Sequence, residues 1–450
     1  MVSSALAPKI SLSNEVSSWG RLPHAQHAVG GVEWRDEPLV VPEGLTALPH
    51  GLGRSYGDSC LNDGGALVLT DRLNRFIAFD RTTGVIRCES GVTLEQISKL
   101  TVPQGWFLPV TPGTKFVTLG GAIANDVHGK NHHAAGTFGR WVRAFELVRS
   151  DGTRRICTPT ENADWFGATI GGLGLTGLVT WAEFQLRPIH NAYIETETIK
   201  FGSLDEFYDI NEESVRDYEA TVSWTDCLIQ GKSLGRGHYI RGNHAGPQLS
   251  ERKIPRQPGM KLAAPFDAPS FAMNKLFVKA FNFAYYHRQL PKRKAGLATI
   301  DSFYYPLDGV HRWNRIYGKR GFFQYQLVVP IKDSRAAAQE IFEQVVRSGQ
   351  ASFLNVFKTF GTLESPGWLS FPRPGVTLAV DFANRGQSTL DLFARLDRIV
   401  EEAGGAVYPA KDARMSPASF RKFFPAWEKL VPYVDPRISS SFWRRVTSSA

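Results

Sequence analysis

The stretch Thr118–Gly139, TLGGAIANDVHGKNHHAAGTFG, constrains this chain more than any other. Its Gly-Gly pair and run of small residues fill little core, but they let a large group approach the backbone closely. His128, Lys130, His132 and His133 follow within the same segment. Such side chains hold anions or move protons beside a reaction centre. Upstream, Pro109–Gly113 reads as a turn. Together these features predict a loop-rich wall for a flat, phosphate-bearing ligand. Metal is not expected there: Gly129 disfavours the helix that would align His128 with His132, and no Cys, Asp or Glu stands at zinc spacing.

Two further glycine clusters support the same reading. His50–Asp58, HGLGRSYGD, offers amides and one arginine to a diphosphate. It matches neither the P-loop nor the dinucleotide fingerprint, so a plain surface turn remains open at this level. Gly171–Gly177, GGLGLTG, is the third cluster. Short strands interleave with them at Ala66–Thr70, Phe76–Asp80, Val85–Cys88 and Leu178–Leu186. Thr93 and Gln96 make a capping box for a helix to about Leu100. Asp151-Gly152 predicts a hairpin between Phe145–Arg149 and Arg154–Thr158. The result is an α+β domain wrapped around one extended ligand.

After about Pro188 the texture changes. Strands at Phe323–Val329, Phe353–Lys358, Val376–Phe382 and Ala406–Tyr408, with helices at Arg335–Ser348 and Thr389–Ala403, make a split-βαβ pattern. Between lies a segment, 243–300, with Arg252, Lys253, Arg256, Lys261, Lys275, Lys279, Arg288, Lys292, Arg293 and Lys294. Phe271, Phe277, Phe281, Phe283, Tyr285 and Tyr286 interleave with them. It reads either as a charged, mobile insertion or as a flap on an anionic membrane or hydrophobic substrate. Lys411-Asp412-Ala-Arg414 near the end reads by itself as a solvated charge cluster.

The 450 residues suffice for two or three domains. The net charge of +9 suits nucleic acid, anionic lipid or a phosphorylated substrate. No nucleic-acid motif accompanies it, so nucleic acid is not expected. No G-x-S-x-G elbow supports a hydrolase. Four scattered cysteines argue against a disulfide framework. No secretory signal and no spanning run is seen, so the expected location is cytoplasmic or peripheral to a membrane.

Taken in order, HGLGRSYGD, PVTPGTKFVTLGGAIANDVHGKNHHAAGTFG, GGLGLTG, FYYPLD, FFQYQLVVP, SFLNVFK and AKDAR resemble the polyprenylphosphoryl-ribose 2′-oxidase branch of the vanillyl-alcohol-oxidase, or PCMH-type, FAD-binding family. The likeness covers nearly the whole chain. It implies a two-domain fold: 1–190 for FAD, 191–404 for substrate with an antiparallel sheet, helices and the insertion 243–300, and 405–450 returning to the FAD domain. It implies FAD contacts at Arg54, Ser55, Tyr56, Gly57, Gly113, Thr114, Thr118, Gly120, Gly121, Ala124, Asn125, Gly129, Gly172, Gly174 and Gly177. Position 55 is not the histidine that carries covalent flavin in relatives, so the FAD is expected to be non-covalent. The likeness also implies substrate-pocket positions at Lys130, Trp224, Tyr304, Gln324, Gln326 and Lys358, with Lys411 nearest the chemistry and His128 as a rival base.

The implied reaction oxidises the 2-hydroxyl of polyprenylphosphoryl-β-D-ribose to the 2-keto sugar. It is the first half of an epimerisation to the arabinose donor of cell-wall arabinan, completed by an NADH-dependent keto-reductase partner. Ala379 and Asn125 stand where well-known members carry cysteine. The alternatives are an FAD-dependent sugar or polyol oxidase using oxygen, which Ser55 disfavours, and a catalytically silent flavin or prenyl-phosphate binder.

Overall fold

The computed structural model describes residues 11–13, 15–249, 262–269, 273–350 and 352–448. Arg252, Lys253, Arg256, Lys261 and Phe271, named above in the basic, aromatic segment, lie outside the described residues. The chain is α+β. Its N-terminal half is built on two sheets. Strands Ser11–Ser13, His27–Gly31, Ala66–Leu69 and Ala47–His50 lie side by side in that order, the last two pairings parallel. Strands Phe76–Asp80, Val85–Glu89, Leu178–Gln185, Val142–Val148 and Arg154–Cys157 make an antiparallel sheet. Local chemistry sets the elements as the sequence predicts. Thr93 Oγ1 accepts from Gln96 N, and Gln96 Oε1 accepts from Thr93 N, opening the helix Leu94–Thr101. At the hairpin Gly152 takes φ +83° and Asp151 accepts from Thr153 N.

The second half is an eight-stranded antiparallel sheet. Its strands are β1 (Tyr193–Phe201), β2 (Ala220–Thr225), β3 (Gly237–His244), β4 (Arg293–Thr299), β5 (Phe322–Val329), β6 (Asn355–Phe360), β7 (Gly375–Ala383) and β8 (Ala406–Val407). Helices α1 (Leu204–Asp217), α2 (Lys275–His287), α3 (Ser334–Ser348) and α4 (Gln387–Glu402) connect them. The spatial order is β4-β1-β3-β2-β6-β7-β5-β8. Two βαββαβ units, β1 to β4 and β5 to β8, therefore repeat the same internal order and join edge to edge where Ser223 pairs with Phe357. The sequence pattern predicts only the second unit.

Residues 243–300, expected to form an insertion over the domain, supply α2 and the edge strand β4 of the first unit. They were hard to place because α2 buries only Val278 and Asn282, while Leu276, Phe277 and Phe283 stay exposed. By contrast α3 buries Ala337, Ala338, Ile341, Phe342, Val345 and Val346, an ordinary apolar stripe. β6 starts two residues later than expected, because the Ser352 hydroxyl turns back on Leu354 before the strand begins. The C-terminal chain then leaves β8 for the first half. Ser441 N donates to Leu61 O, and the helix Ser441–Thr447 packs beside the Asp58–Cys60 turn.

Candidate active site

The two halves enclose a cavity of about 980 Å³, at the upper end of the roughly 300–1,000 Å³ usual for ligand sites. Its first wall is the loop after strand Ala47–His50. Among the described residues, the backbone N–H groups of Gly51, Leu52, Gly53, Arg54 and Ser55 have no acceptor within the protein. Five successive unsatisfied donors, with Gly53 at φ +59°, suit a phosphate-binding nest. Arg54 stacks on Trp19 at 4.5 Å and donates to Leu52 O at 2.8 Å. Ser55 and Tyr56 line the cavity beside it.

The second wall comes from residues 111–130. Thr118 Oγ1 accepts from Gly121 N at 3.1 Å and starts the short helix Leu119–Ala124. A Cβ on Gly120 would come within 3.0 Å of the Ser90 side chain, whereas one on Gly113 would meet nothing within 4 Å. Thr114, Ala124 and Asn125 complete this face, and Gly174 and Gly177 close it from the third loop. Gly129 also lines the cavity, but its missing Cβ serves packing, since one would sit 2.6 Å from Thr111 O.

Two glycines expected at the cofactor do not line this space. A Cβ on Gly57 would lie 1.6 Å from Asp412 O, and one on Gly172 would lie 2.1 Å from Ala168 O. Both are glycine because backbone passes directly behind the wall.

The rest of the lining is chemically different. Register on the sheet places Gln324 beside Asp381, Gln326 beside Ala379 and Lys358 beside Thr377. Lys358 Nζ lies 3.1 Å from His128 Nδ1 and also donates to Gly129 O. The Gln326 amide nitrogen lies 3.0 Å from His128 Nε2. Burial, then the Lys358 charge, holds His128 well below the usual imidazole range. It is neutral, with both ring nitrogens engaged. His132 Nδ1 accepts from Gly361 N, and His133 Nε2 bonds Tyr218 O; neither ring lines the cavity.

Lys411 follows β8 on the turn Pro409–Lys411. Tyr56 N donates to Ala410 O, and Lys411 Nζ sits 3.6 Å over the Tyr56 ring centroid. Among the described residues it has no hydrogen-bond partner. Burial lowers its ammonium to about 7, against a raising effect of Asp381. Burial, then Lys130, brings Lys358 to about 7. Burial alone brings Lys130 to about 7, its Nζ resting on Phe303 O and 4.9 Å over the Phe303 ring. Tyr304 and Trp224 line the same space, with Trp224 fixed by Nε1 on Phe353 O at 2.9 Å.

Sequence reasoning missed three residues here. Asp381 accepts from Gln324 Nε2 at 2.6 Å and Tyr317 Oη at 3.2 Å, and burial pushes its carboxyl up to about 7. Its signal was an acid inside the apolar strand GVTLAVDFA. His50 bonds Cys60 O and lines the glycine-loop wall. Tyr408 donates to Asn125 O and packs its ring 5.7 Å from His128. Among the described residues no group of three or more His, Cys, Asp or Glu is placed to hold a metal.

A flavin dinucleotide fits this arrangement: unsatisfied amides for the diphosphate, small residues along the wall, and titratable groups lining the same cavity. Comparison with known proteins agrees. Residues 41–158 match the family described as FAD binding domain. Decaprenylphosphoryl-beta-D-ribose oxidase of Mycolicibacterium smegmatis is 36% identical, over 94% of this chain and 95% of its own. An uncharacterised protein of Streptomyces coelicolor is 33% identical over 77% of this chain and 96% of its own. Delta(24)-sterol reductase of Homo sapiens is 36% identical over only 24% of this chain.

Proposed function

Because the chain belongs to the decaprenylphosphoryl-β-D-ribose oxidase family and is an FAD-dependent oxidoreductase, we propose that it oxidises the 2-hydroxyl of a polyprenylphosphoryl ribose to the 2-keto sugar. The observation that carries this reading is Lys411: a cavity-lining amine over the Tyr56 ring, with no hydrogen-bond partner among the described residues and lowered by burial to about 7. Bound FAD supplies the acceptor for the hydride that leaves the carbinol carbon. The neutral Lys411 amine takes the hydroxyl proton as the C–H bond breaks. His128 is the poorer base, since its one lone pair already faces Lys358 or Gln326. It serves instead, with Gln326, to orient the sugar. The keto product keeps its phosphodiester and needs a separate reductase to become the epimer. That partner is part of the proposal.

The prenyl tail has a candidate exit. Phe281 and Tyr285 of α2 line the cavity with Trp224 and Phe353, and the Trp224 and Tyr285 rings lie 4.6 Å apart. The outer side of the same helix leaves Leu276, Phe277 and Phe283 more than half exposed, close in sequence to Lys275, Lys279 and Arg288. An apolar face edged with cations suits an anionic bilayer. No helix among the described residues is long and apolar enough to cross one. The test is anaerobic mixing of the purified holoenzyme with prenylphosphoryl ribose. The flavin bleaches if the reading is right, and a free pentose or polyol bleaching it equally well would overturn it.

A further inference from the structure

The chemistry of the proposed substrate limits where its phosphate sits. In a ribosyl 1-phosphodiester oxidised at C2, phosphorus is three bonds from the reacting carbon, within about 4 Å. Cations at the solvent-facing edge of the cavity, such as the exposed Arg288 and Arg312, are poorly placed for it. One of the inner lysines is needed. Lys411 is assigned to the proton, and Lys358 is committed to His128 and Gly129 O. Among the described residues the one hydrogen-bond partner of Lys130 Nζ is a neutral carbonyl, Phe303 O.

The neighbouring side chain completes a seat. Tyr304 is 3% exposed and lines the cavity, yet among the described residues its hydroxyl has no hydrogen-bond partner. The carbonyl that Lys130 grips belongs to the peptide joining Phe303 to Tyr304, so ammonium and hydroxyl flank the same backbone unit. Resting on the reading that the substrate is a polyprenylphosphoryl ribose, we propose that Lys130 and Tyr304 form the seat of its phosphodiester, and that binding there draws a proton onto Lys130.

The surroundings support the proton coupling. The charged neighbour of Lys130 is Lys358 from β6, and its ammonium rests on Phe303 O of the helix Ile300–Tyr304. From β2, Thr221 N donates to Lys130 O. No carboxylate pairs with it among the described residues. Without an anion, burial keeps the ammonium at about 7. A phosphodiester alongside stabilises the charged form and raises it.

The test uses the FAD-loaded enzyme and farnesylphosphoryl-2-deoxy-β-D-ribose, which lacks the hydroxyl to be oxidised. Calorimetry in two buffers of different ionisation enthalpy reads both affinity and protons taken up. The parent should take up a fraction of a proton at pH 7, more at pH 8 and little at pH 6. Lys130→Met should bind at least tenfold more weakly and lose most of the uptake. Lys130→Arg should recover much of the affinity without the uptake, since guanidinium is always charged. Tyr304→Phe should weaken binding several-fold and leave the uptake in place. Unchanged affinity in Lys130→Met, or full uptake in Lys130→Arg, overturns the proposal. Oxidation is judged separately with the 2-hydroxy substrate, so failure of the seat and failure of the reaction are told apart.

Discussion

Replacing Arg445 by Met should loosen the join between the cofactor loop and the Lys411 turn. The Arg445 guanidinium donates to Asp58 Oδ2 at 2.9 Å and Oδ1 at 2.7 Å, to Asp412 Oδ2 at 2.9 Å, and to Met415 O. Asp58 belongs to the first glycine cluster, and Asp412 adjoins Lys411. Their side chains are 4% and 2% exposed; removing the arginine strands the Asp58 carboxylate, whereas Asp412 keeps the backbone N–H groups of Arg414 and Met415. Breaking a buried pair from one side costs about 3–5 kcal/mol. The arginine itself is 25% exposed, so screening reduces this to about 2–4 kcal/mol. For a domain of about 200 residues that is a fall in Tm of roughly 4–16 °C. The pH dependence has a definite sign. Burial already raises Asp58, and Arg445 opposes that rise. Without the arginine it titrates higher still. The deficit should therefore be largest near pH 8 and shrink toward pH 5, as the stranded Asp58 carboxylate binds a proton. The control is Arg444→Ala on the same helix, which loses bonds to Asn62 Oδ1 and Asp63 O but strands no carboxylate. If thermal unfolding of the holoenzyme shows the two variants equally destabilised, with no pH trend, the reasoning is refuted.

Other outcomes follow from the same geometry. Acid or heat denaturation should release the FAD into the supernatant, since Ser55 offers no linking histidine; flavin retained by the pellet would contradict this. The rate of flavin reduction should rise with pH through a limb near 7, because burial lowers Lys411 to about 7 and the neutral amine is the active form. A rate falling through that window would mean the lysine acts as a cation. Changing Leu276, Phe277 and Phe283 together to Glu should abolish flotation with anionic liposomes, and added salt should weaken binding of the parent. Flotation unaffected by the triple change would reject α2 as the contact.

The sequence made visible what local rules govern. The capping box at Thr93, the Asp151-Gly152 hairpin and the amphipathic α3 and α4 each carry their signal within a few residues. The first βαββαβ unit did not. β2 is buried at every position, so it shows no alternation, and α2 turns aromatic residues outward, blurring its apolar stripe. The glycine loops were legible as a group, but not which glycines face a ligand. Gly57 and Gly172 are explained only by Asp412 and Ala168, whose carbonyls stand where side chains would go. The lysine cluster joins residues 130, 358 and 411, far apart in the chain, and composition has no means of pairing them. The resemblance named those positions. Folding explains their chemistry, because it buries three ammonium groups in one space and shifts each toward neutrality.

In the proposed oxidation Lys411, rather than His128, receives the proton. Single-turnover flavin reduction by prenylphosphoryl ribose, followed without oxygen, tests it directly. Lys411→Ala should slow that step by at least about 100-fold, roughly 2.7 kcal/mol in the barrier, with FAD still bound. His128→Ala should slow it less and keep the limb near pH 7. Reduction by the Lys411 variant within about tenfold of the parent, or loss of the limb in the His128 variant alone, would contradict the account.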